Sequence, residues 1–263
     1  METEKYPSYG NWVSANMIRK FIAVFVMIGI VDAALWFLED WLWLKILFAF
    51  FTVFILACIV YFHRARRWFA ADGGDIQNKV LDLLVSYIHW NGNGIALDIG
   101  CGSGALTIRL AKKYDEANIT GVDYWGGGWG YGQKQCEENA VIEGVADRTE
   151  FRQASAAKLP FSDDSFDLVV SNLTFHEVRD SKSKLDLVKE ALRVLKRGGG
   201  FVFQDLFLLK SFYGTTDELT AAVRTMGVNN LHFVDTSKSS FIPKALKLPF
   251  MVGAMGLLYG EKQ

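Results

Sequence analysis

Residues 96–104, ALDIGCGSG, decide the fold of this chain. Apolar residues precede the stretch, and an apolar pattern with helical spacing follows it through residue 111. This order predicts a buried strand, a glycine turn and a helix, which together open a doubly wound α/β domain. Without a Cβ atom, glycines allow a tight turn and let a ligand lie against the backbone. The turn contains Gly100, Gly102 and Gly104.

The spacing of these glycines and a nearby acid indicate the kind of ligand. Dinucleotide sites have the pattern G-x-G-x-x-G, and their helix N-terminus faces a pyrophosphate. This chain has G-x-G-x-G, and Asp98 stands two residues before the first glycine. A carboxylate beside the turn repels a pyrophosphate and suits a cationic ligand. The alternative interpretation is a glycine turn in an unrelated α/β domain.

The stretch from Asp98 to Gly104 resembles the first motif of class I S-adenosylmethionine-dependent methyltransferases, of the type 11 kind. Residues 159–176 resemble the same family's pattern LPF…FDLV…N…H. The resemblance covers residues 75–260. It implies a Rossmann-like sheet of seven strands with only the last antiparallel, and S-adenosylmethionine as cofactor. It also implies methyl transfer by in-line attack on the sulfonium carbon.

The predicted second strand ends at Asp123, about twenty residues beyond the glycines, where an acid can bind ribose hydroxyls in methyltransferases and NAD enzymes alike. The resemblance assigns Asp123 to the ribose, and Tyr124 or Trp125 can stack on adenine. Relatives often carry an acid where Ser155 stands, so its hydroxyl and the nitrogen of Ala156 are the expected adenine contacts. The cofactor-binding residues implied by the resemblance are Asp98, Gly100, Cys101, Gly102, Gly104, Asp123, Tyr124, Ser155, Ala156 and Asn172.

His176 follows the predicted fourth strand, where an acceptor would approach the methyl group. A histidine there can act as general base near neutral pH, which is needed only if the attacking atom must lose a proton. The alternative is a histidine that orders its loop through backbone hydrogen bonds. The three cysteines lie far apart and indicate neither a disulfide framework nor a metal site.

Residues 124–132, YWGGGWGYG, combine five glycines with four aromatic residues. Trp129 and Tyr131 are predicted to form a lid or to touch a membrane interface. The alternative is a surface loop whose aromatic side chains pack locally.

Two apolar runs precede the α/β domain, at residues 21–38 and 41–62. Each is close to the roughly 20 residues that span a bilayer core. Asp32 interrupts the first run and Lys45 lies near the start of the second; a tolerated or helix-pairing role is favoured for Asp32. A transmembrane hairpin is therefore predicted at residues 17–67, after a polar, loosely held tail at 1–16 and before the methyltransferase domain at 68–263. A soluble hairpin buried in an oligomer is the alternative.

The charges at the two ends of the hairpin predict its orientation. Arg19 and Lys20 precede the first run, residues 63–67 contain a histidine and three arginines, and Glu39 and Asp40 lie at the turn. By the positive-inside rule both ends and the catalytic domain are cytoplasmic. Because the net charge of the 263 residues is −1, no nucleic-acid partner is expected.

Further elements are predicted along the domain from hydrophobic periodicity. Glycines 198–200 are expected to cap a helix at residues 182–195. A fifth strand is expected at 201–205 and the last, antiparallel strand at 250–259. Residues 241–248 form a basic, apolar interfacial loop or simply the connection before that strand.

Three functions remain open at this point. The favoured one is a membrane-anchored methyltransferase that acts on a small, hydrophobic or lipid-phase acceptor, with the bilayer as partner and homo-oligomers as a further option. The second is a membrane-anchored nucleotide-binding oxidoreductase, which the glycine spacing disfavours. The third is a non-catalytic membrane scaffold with a methyltransferase fold, which the missing acid at Ser155 keeps open.

Overall fold

The computed structural model describes residues 6–37, 40–126 and 132–263. The contacts between residues divide the chain into two compact units. One unit contains the chain up to Gly10 together with Lys79–Gln263, and the other is Asn11–Asn78.

The smaller unit is built on two helices, α1 (Ala15–Leu35) and α2 (Leu42–Phe69). The helices pack against each other, and the stacked rings of Phe21 and Phe62 have centroids 5.4 Å apart. The described residues before α1 are held by hydrogen bonds, unlike the loosely held tail that was predicted. Val13 is buried, and its carbonyl oxygen accepts a hydrogen bond from Arg66, because the segment packs back onto the end of α2.

The large unit contains a seven-stranded sheet with helices on both faces. Its strands are β1 (Gly94–Ile99), β2 (Ala117–Asp123), β3 (Thr149–Gln153), β4 (Phe166–Asn172), β5 (Leu195–Asp205), β6 (Val228–Val234) and β7 (Gly256–Lys262). Its helices are the part of α3 (Ile76–Ser86) that follows Asn78, together with α4 (Ala105–Lys113), α5 (Gln133–Ile142), α6 (Lys184–Val194), α7 (Lys210–Tyr213) and α8 (Thr216–Thr225). A single 3₁₀ turn, Phe175–Glu177, follows β4.

The strand order is β3-β2-β1-β4-β5-β7-β6. Strands β1 to β5 pair in parallel, and β7 runs antiparallel to both β5 and β6. The predicted seven-stranded sheet with only its last strand antiparallel is therefore confirmed. Because the chain proceeds from β1 first towards β3 and then returns to β4 on the other side, the order reverses at β1. Open α/β sheets bind ligands at the carboxyl ends of their strands beside such a reversal.

The core has two apolar clusters, one on each face of the sheet. Helices α4 and α5 and the second half of α3 pack on one face, and α6 and α8 pack on the other. This three-layer arrangement buries the strands on both sides, which explains their nearly continuous apolar sequences. The carboxyl ends of β1, β2, β4 and β5 remain as the edge on which a site can be built.

The glycine run at residues 198–200 does not cap a helix, contrary to the prediction. Helix α6 ends at Val194, and β5 begins directly at Leu195. In the pairing of β4 with β5, Phe166 lies opposite Leu195, but Leu168 lies opposite Gly200. The register therefore shifts between these pairs, and the glycine run belongs to an irregularity inside β5. Gly198 adopts φ +76°, a conformation that glycine accommodates without steric cost.

The last strand also lies further along the chain than predicted. Residues 250–254 form turns, and β7 extends over Gly256–Lys262. Gly253 explains part of this difference, because a Cβ atom there would lie 2.3 Å from the carbonyl group of Lys247. That close approach holds the segment in a compact turn before the strand starts.

Candidate functional site

The glycine turn after β1 places bare backbone at the carboxyl edge of the sheet. Gly100, Gly102 and Gly104 have φ values of +76°, +57° and +84°. At Gly100 a Cβ atom would lie 2.0 Å from Oγ1 of Thr174. Glycine is therefore required at this position both by its backbone conformation and by the close approach of a neighbouring loop.

The amide hydrogens of the turn are directed into the protein. The N–H groups of Gly100 and Cys101 both donate to the carbonyl oxygen of Val122, at 2.7 and 3.0 Å. The N–H of Gly102 donates to Oδ2 of Asp123 at 2.9 Å. A pyrophosphate site needs such donors aimed at the ligand. These three N–H groups are therefore not free to bind the pyrophosphate of a dinucleotide. The glycine spacing also disfavoured a dinucleotide.

Asp98 is a buried acid on β1. Its Oδ2 accepts a hydrogen bond from the hydroxyl of Thr107 at 2.7 Å. Burial raises the pKa of Asp98 to about 7, with the Thr107 hydrogen bond acting against the shift and the nearby Asp123 carboxylate adding to it. Within the part of the chain that the structure describes, no lysine or arginine forms an ion pair with Asp98 or Asp123. Two acids without a cationic partner fit a ligand that carries an ammonium and a sulfonium group.

Asp123 ends β2 and holds both the glycine turn and the following loop. Besides Gly102, it accepts a hydrogen bond from the backbone N–H of Trp125 at 2.8 Å. The indole Nε1 of Trp125 donates to the carbonyl oxygen of Gly102 at 2.8 Å, so this ring is fixed against the turn. Tyr124 is 67% exposed, and of the two aromatic residues predicted to reach adenine it has the more accessible ring.

The segment after β3 lies beside Asp123, whose carbonyl oxygen accepts the N–H of Ala154 at 2.9 Å. The hydroxyl of Ser155 donates to Oδ2 of Asp180 at 2.6 Å and accepts from the N–H of Ala157 at 3.1 Å. Ala156 is buried. Position 155 itself therefore lacks the acid that relatives often carry there. The carboxylate of Asp180, from a later loop, lies next to the Ser155 hydroxyl instead.

Cys101 is buried in the turn, and burial, together with neighbouring Cys136, raises the pKa of its thiol. Cys136 donates to the carbonyl oxygen of Gly102 at 3.1 Å. Both side chains thus pack behind the turn rather than beside the surface that a ligand would meet.

Asn172 ends β4, and its Oδ1 accepts a hydrogen bond from Nε2 of Gln204 at 2.9 Å. Leu173, the next residue, has φ +53°, an uncommon conformation for a leucine. This turn brings the hydroxyl of Thr174 within 3.2 Å of the carbonyl oxygen of Ile99. The β4 loop is therefore pressed directly against the glycine turn.

His176 lies in the 3₁₀ turn after β4 and contacts the carboxylate at the end of β5. Its Nδ1 is 2.8 Å from Oδ1 of Asp205, a residue that is completely buried. Asp205 also accepts hydrogen bonds from the backbone N–H groups of His176 and Leu206. Because the carboxylate accepts, Nδ1 carries the proton and Nε2 is the basic nitrogen of the neutral ring.

The surroundings of this pair shift the affinity of the histidine for protons. Burial lowers the pKa of His176, but the charge and hydrogen bond of Asp205 and the charge of Glu177 outweigh it, so the net pKa is raised. The buried Tyr213 lies close enough for burial and the Asp205 charge to raise the pKa of its hydroxyl. A histidine oriented by a buried carboxylate has the arrangement of a general base.

Asp205 and Tyr213 are the site residues that the sequence analysis missed. A signal for Asp205 was present, because it ends the run FVFQD of a predicted strand, as Asp123 ends its own strand. Tyr213 belongs to the short helix α7, which the periodicity did not predict. Trp129 and Tyr131, the predicted lid, lie outside the described residues. Among the residues that are described, no group of histidine, cysteine and acidic side chains is arranged to hold a metal ion.

Comparison with known proteins agrees with this geometry. A family model described as a methyltransferase domain, type 11, matches residues 97–203. The match begins within β1 and ends near the carboxyl end of β5, so it includes the glycine turn, Asp123 and His176.

Curated relatives share part of this region. The malonyl-[acyl-carrier protein] O-methyltransferase of Geobacter sulfurreducens is 36% identical over 166 residues, covering 62% of this chain and 56% of the relative. The 27-O-demethylrifamycin SV methyltransferase of Amycolatopsis mediterranei is 32% identical over 140 residues, covering 52% and 47%. The demethylmenaquinone methyltransferase of Lactiplantibacillus plantarum is 30% identical over 154 residues, covering 54% and 62%. The chain thus spans about half the length of these relatives.

Solved structures share the fold at low sequence identity. The geranyl diphosphate C-methyltransferase of Streptomyces coelicolor A3(2) superposes with a TM-score of 0.55 at 15% identity, covering 71% of this chain and 77% of that one. The [4+2]-cyclase SpnF superposes with a TM-score of 0.52 at 19% identity, covering 70% and 80%. The same architecture therefore occurs in proteins named for different reactions, and the reaction has to be inferred from the site.

The family match, the strand order and the arrangement of acids around the glycine turn agree with one another, and none of them supports the alternative of a nucleotide-binding oxidoreductase. Residues 97–203 thus match the family model of a methyltransferase domain, and the sheet around them has the fold of the geranyl diphosphate C-methyltransferase.

Proposed function

We propose that this protein is a membrane-anchored methyltransferase that transfers the methyl group of S-adenosylmethionine to a small, hydrophobic or lipid-phase acceptor. The observation that carries the proposal is the position of the His176–Asp205 pair at the same sheet edge as Asp98 and Asp123. A binding surface for a cationic cofactor and a base for the acceptor thus belong to one edge.

The cofactor would lie across the glycine turn. Asp98 and Asp123 supply negative charge, and the backbone at Gly100 and Gly102 allows close approach. Tyr124, Ser155 and Ala156 would form the adenine end, where Asp180 adds a carboxylate next to the Ser155 hydroxyl. Asn172 and Cys101 support the turn from the β4 side and from behind. When bound, S-adenosylmethionine supplies an electrophilic methyl group.

His176 would remove a proton from the attacking atom of the acceptor. Nε2 takes the proton, and Asp205 stabilises the resulting imidazolium through the 2.8 Å contact at Nδ1. Asp205 has no exposed surface, so its hydrogen bonds are shielded from water, which strengthens their electrostatic contribution. Such a base is needed for a hydroxyl, an ammonium or an acidic carbon, which favours acceptors of these classes.

Two further observations support a hydrophobic acceptor. Two of the relatives are named for acting on a rifamycin and a demethylmenaquinone. In the large unit, Phe212, Leu248 and Phe250 are exposed and follow the carboxyl end of β5 or lie in the β6–β7 connection. Since β7 starts opposite Asp205, this connection lies at the edge that carries the site.

Membrane anchoring is supported by the smaller unit. Of the described helices, α2 is long and apolar enough to cross a membrane, and very little of it is buried. Helix α1 has 21 residues but includes Arg19, Lys20 and Asp32, so the predicted pair of spans rests on α2 and on the packing of α1 against it. We propose that the two helices insert together as a hairpin.

The ends of the hairpin have the features of an interface. Trp36, Trp41 and Trp43 are exposed around the connection between the helices, where amphipathic rings fit the headgroup level. The ammonium group of Lys45 lies 5.4 Å from the centroid of the Trp36 ring. Glu39, which was predicted to mark the outer turn, lies outside the described residues. The arginines of the last turn of α2 support a catalytic domain on the cytoplasmic side, because positive charges flanking a span favour that side.

Two measurements test the proposal. S-adenosylmethionine and S-adenosylhomocysteine should bind the purified protein in the micromolar range by calorimetry, whereas NAD should not. Membranes from cells that express the full chain should retain it after washing with carbonate at high pH. Absence of binding by both sulfur compounds would refute the enzyme, and release by carbonate would refute the anchor.

A non-catalytic scaffold is the second candidate, favoured by the serine at position 155 and by the occurrence of this fold in a cyclase. Such a scaffold has no use for an oriented base. If Asp98→Ala abolishes methyl transfer to any acceptor in a lipid extract, the enzyme is supported. If the variant leaves partner capture intact and no methylated product forms with the unmodified protein, the scaffold is supported.

A further inference from the structure

The side chain of Asn139 in α5 is completely buried and uses its full hydrogen-bonding capacity. Its Oδ1 accepts from the backbone N–H of Ser8 at 2.8 Å and from Nε2 of Gln135 at 3.2 Å. Its Nδ2 donates to the carbonyl oxygens of Ser8 at 2.9 Å and Ser103 at 3.0 Å. A carboxamide has two donor hydrogens and two acceptor lone pairs, so all four are paired. This one side chain joins the N-terminal segment to the glycine turn.

Two more contacts hold the same segment. The hydroxyl of Ser103 donates to the carbonyl oxygen of Tyr9 at 2.8 Å. The hydroxyl of Tyr9 donates to Oε1 of Glu143 at 3.0 Å, and Lys112 contacts the other oxygen of Glu143 at 2.6 Å. Burial raises the pKa of Tyr9, with Glu143 adding to the shift, so the hydroxyl stays protonated as a donor. We call residues 6–10 the N-terminal strap.

The strap reaches the turn at the residue between two glycines. Ser103 lies between Gly102 and Gly104, which both adopt left-handed conformations. A glycine segment without restraints also populates other backbone conformations. Both the carbonyl oxygen and the hydroxyl of Ser103 are engaged by Asn139 and the strap. Each bond made to Ser103 therefore reduces the conformations open to the turn.

Resting on the proposed function, in which the turn binds S-adenosylmethionine, we propose that the N-terminal strap holds the glycine turn in its cofactor-binding conformation. Asn139 is the positioning residue through which the strap acts. A preorganised turn loses less conformational entropy when the cofactor binds, so the strap raises affinity without touching the ligand. By linkage, cofactor binding must hold the strap more firmly in return.

The strap leads directly into the helical unit, which begins at Asn11. Displacement of the strap, for example by a protein that binds the N-terminus, would consequently weaken cofactor binding. A contact far from the acceptor can thus regulate the reaction.

The test compares two substitutions at one residue of the full chain. Ser8→Pro removes the backbone N–H that Asn139 accepts, whereas Ser8→Ala keeps it and removes only the hydroxyl. Calorimetry with S-adenosylhomocysteine should show a Kd raised about 2- to 10-fold for Ser8→Pro, the effect of one or two lost hydrogen bonds. Ser8→Ala should match the unmodified protein.

Asn139→Asp provides a second comparison, because it keeps the shape of the side chain but loses both donors to Ser8 and Ser103. Glu138→Gln, on the exposed face of the same helix, is its control. Kd should rise for Asn139→Asp and stay unchanged for Glu138→Gln. An unchanged Kd in Ser8→Pro and Asn139→Asp, even with lower thermal stability, would show that the strap serves the fold alone and overturns the proposal.

If Ser8→Pro does not fold, Tyr9→Phe replaces it, since this change deletes only the hydroxyl that binds Glu143. A Kd raised about twofold supports the strap, and an unchanged Kd overturns it. Failure of the unmodified protein to bind S-adenosylhomocysteine would overturn the proposed function and the strap together. Binding of S-adenosylhomocysteine by the unmodified protein therefore distinguishes a failure of the strap proposal from a failure of the proposed function.

Discussion

Nδ1 of His176 lies 2.8 Å from Oδ1 of Asp205; His176 follows β4, and Asp205 ends the neighbouring parallel strand β5. In the proposed function this pair acts as the base for an acceptor that must lose a proton. Asp205 is held by backbone donors on both sides, so the imidazole is oriented before any acceptor arrives.

Replacement of His176 tests the base directly. His176→Ala should lower kcat about 100- to 10,000-fold, the usual contribution of general base catalysis, while the Kd of S-adenosylhomocysteine stays the same. Methyl transfer is measured with radiolabelled cofactor. His89→Ala, at an exposed histidine near α3, is the control and should keep full activity. Full activity of His176→Ala would exclude the base.

Asp205→Asn tests the carboxylate through pH dependence. Because the net pKa of His176 is raised, the neutral, active form accumulates only as pH rises through a value above 6.5, and kcat should rise with it. Asparagine removes the negative charge that favours the imidazolium. The midpoint of the pH–rate profile should therefore move to lower pH, with a lower plateau. A midpoint that does not move would contradict the role of Asp205.

Asp98 should make cofactor binding release protons. Its pKa of about 7 is raised above the usual value of an acid, so the folded protein binds an extra proton between about pH 4 and 7. A cationic ligand favours the charged form, and affinity should fall up to about tenfold for each pH unit below 7. Calorimetry in buffers of different ionisation enthalpy measures the protons released. Asp98→Asn should abolish both effects.

The same shift predicts a pH dependence of stability without ligand. The proton is held more tightly in the folded than in the unfolded state, so the free energy of unfolding should fall as pH rises from about 4 through 7. Urea titrations at several pH values measure it, and Asp98→Asn should flatten this part of the curve. A rise in stability for the unmodified protein that Asp98→Asn removes would contradict the raised pKa.

Gly100→Ala tests the close approach of the β4 loop. The new methyl group would meet the Thr174 side chain at 2.0 Å, in addition to the strain of φ +76°. Gly144→Ala is a matched control, because Gly144 has φ +72° and open space around its Cβ position. The control should cost about 1 to 2 kcal/mol of unfolding free energy, and Gly100→Ala clearly more. Equal losses would show that the contact with Thr174 is unimportant.

Contact of the site edge with the bilayer is measurable by fluorescence. Phe250 and Val141 are exposed to the same degree, 66% and 68%, but Val141 lies near the end of α5, away from the carboxyl edge. An environment-sensitive dye on Phe250→Cys should shift to shorter wavelength in nanodiscs, and the dye on Val141→Cys should not. Equal spectra would place the β6–β7 connection in water.

The sheet was predictable because its signals are local. The strand at 166–172 and the acid at Asp123 follow from apolar runs that end in polar residues. The number of strands and the antiparallel last strand followed from the resemblance, whereas the strand order came from the structure. The glycine run at 198–200 was misassigned because a helix cap and a strand irregularity both require a positive φ. Only the pairing of the run with β4 distinguishes a strand irregularity from a helix cap, and a local sequence pattern does not reveal strand pairing.

Contacts between distant residues account for what was missed in the site. Asp205 meets His176 across 29 residues, and Asn139 meets Ser8 across 131. Asn139 stands in a helix of ordinary polar composition, where nothing in the spacing marks it as buried. Ser8 lies in a polar tail that resembles a loosely held segment until its partner is known.

Because residues 6–10 belong to the large unit, the helical segment is a topological insertion between two parts of that unit. A fragment that starts at Lys79 would therefore lose a piece of its own domain. Without Ser8, the amide of Asn139 would lose one accepted and one donated hydrogen bond beside the glycine turn. If the strap acts as proposed, such a fragment would bind S-adenosylmethionine more weakly than the intact protein does.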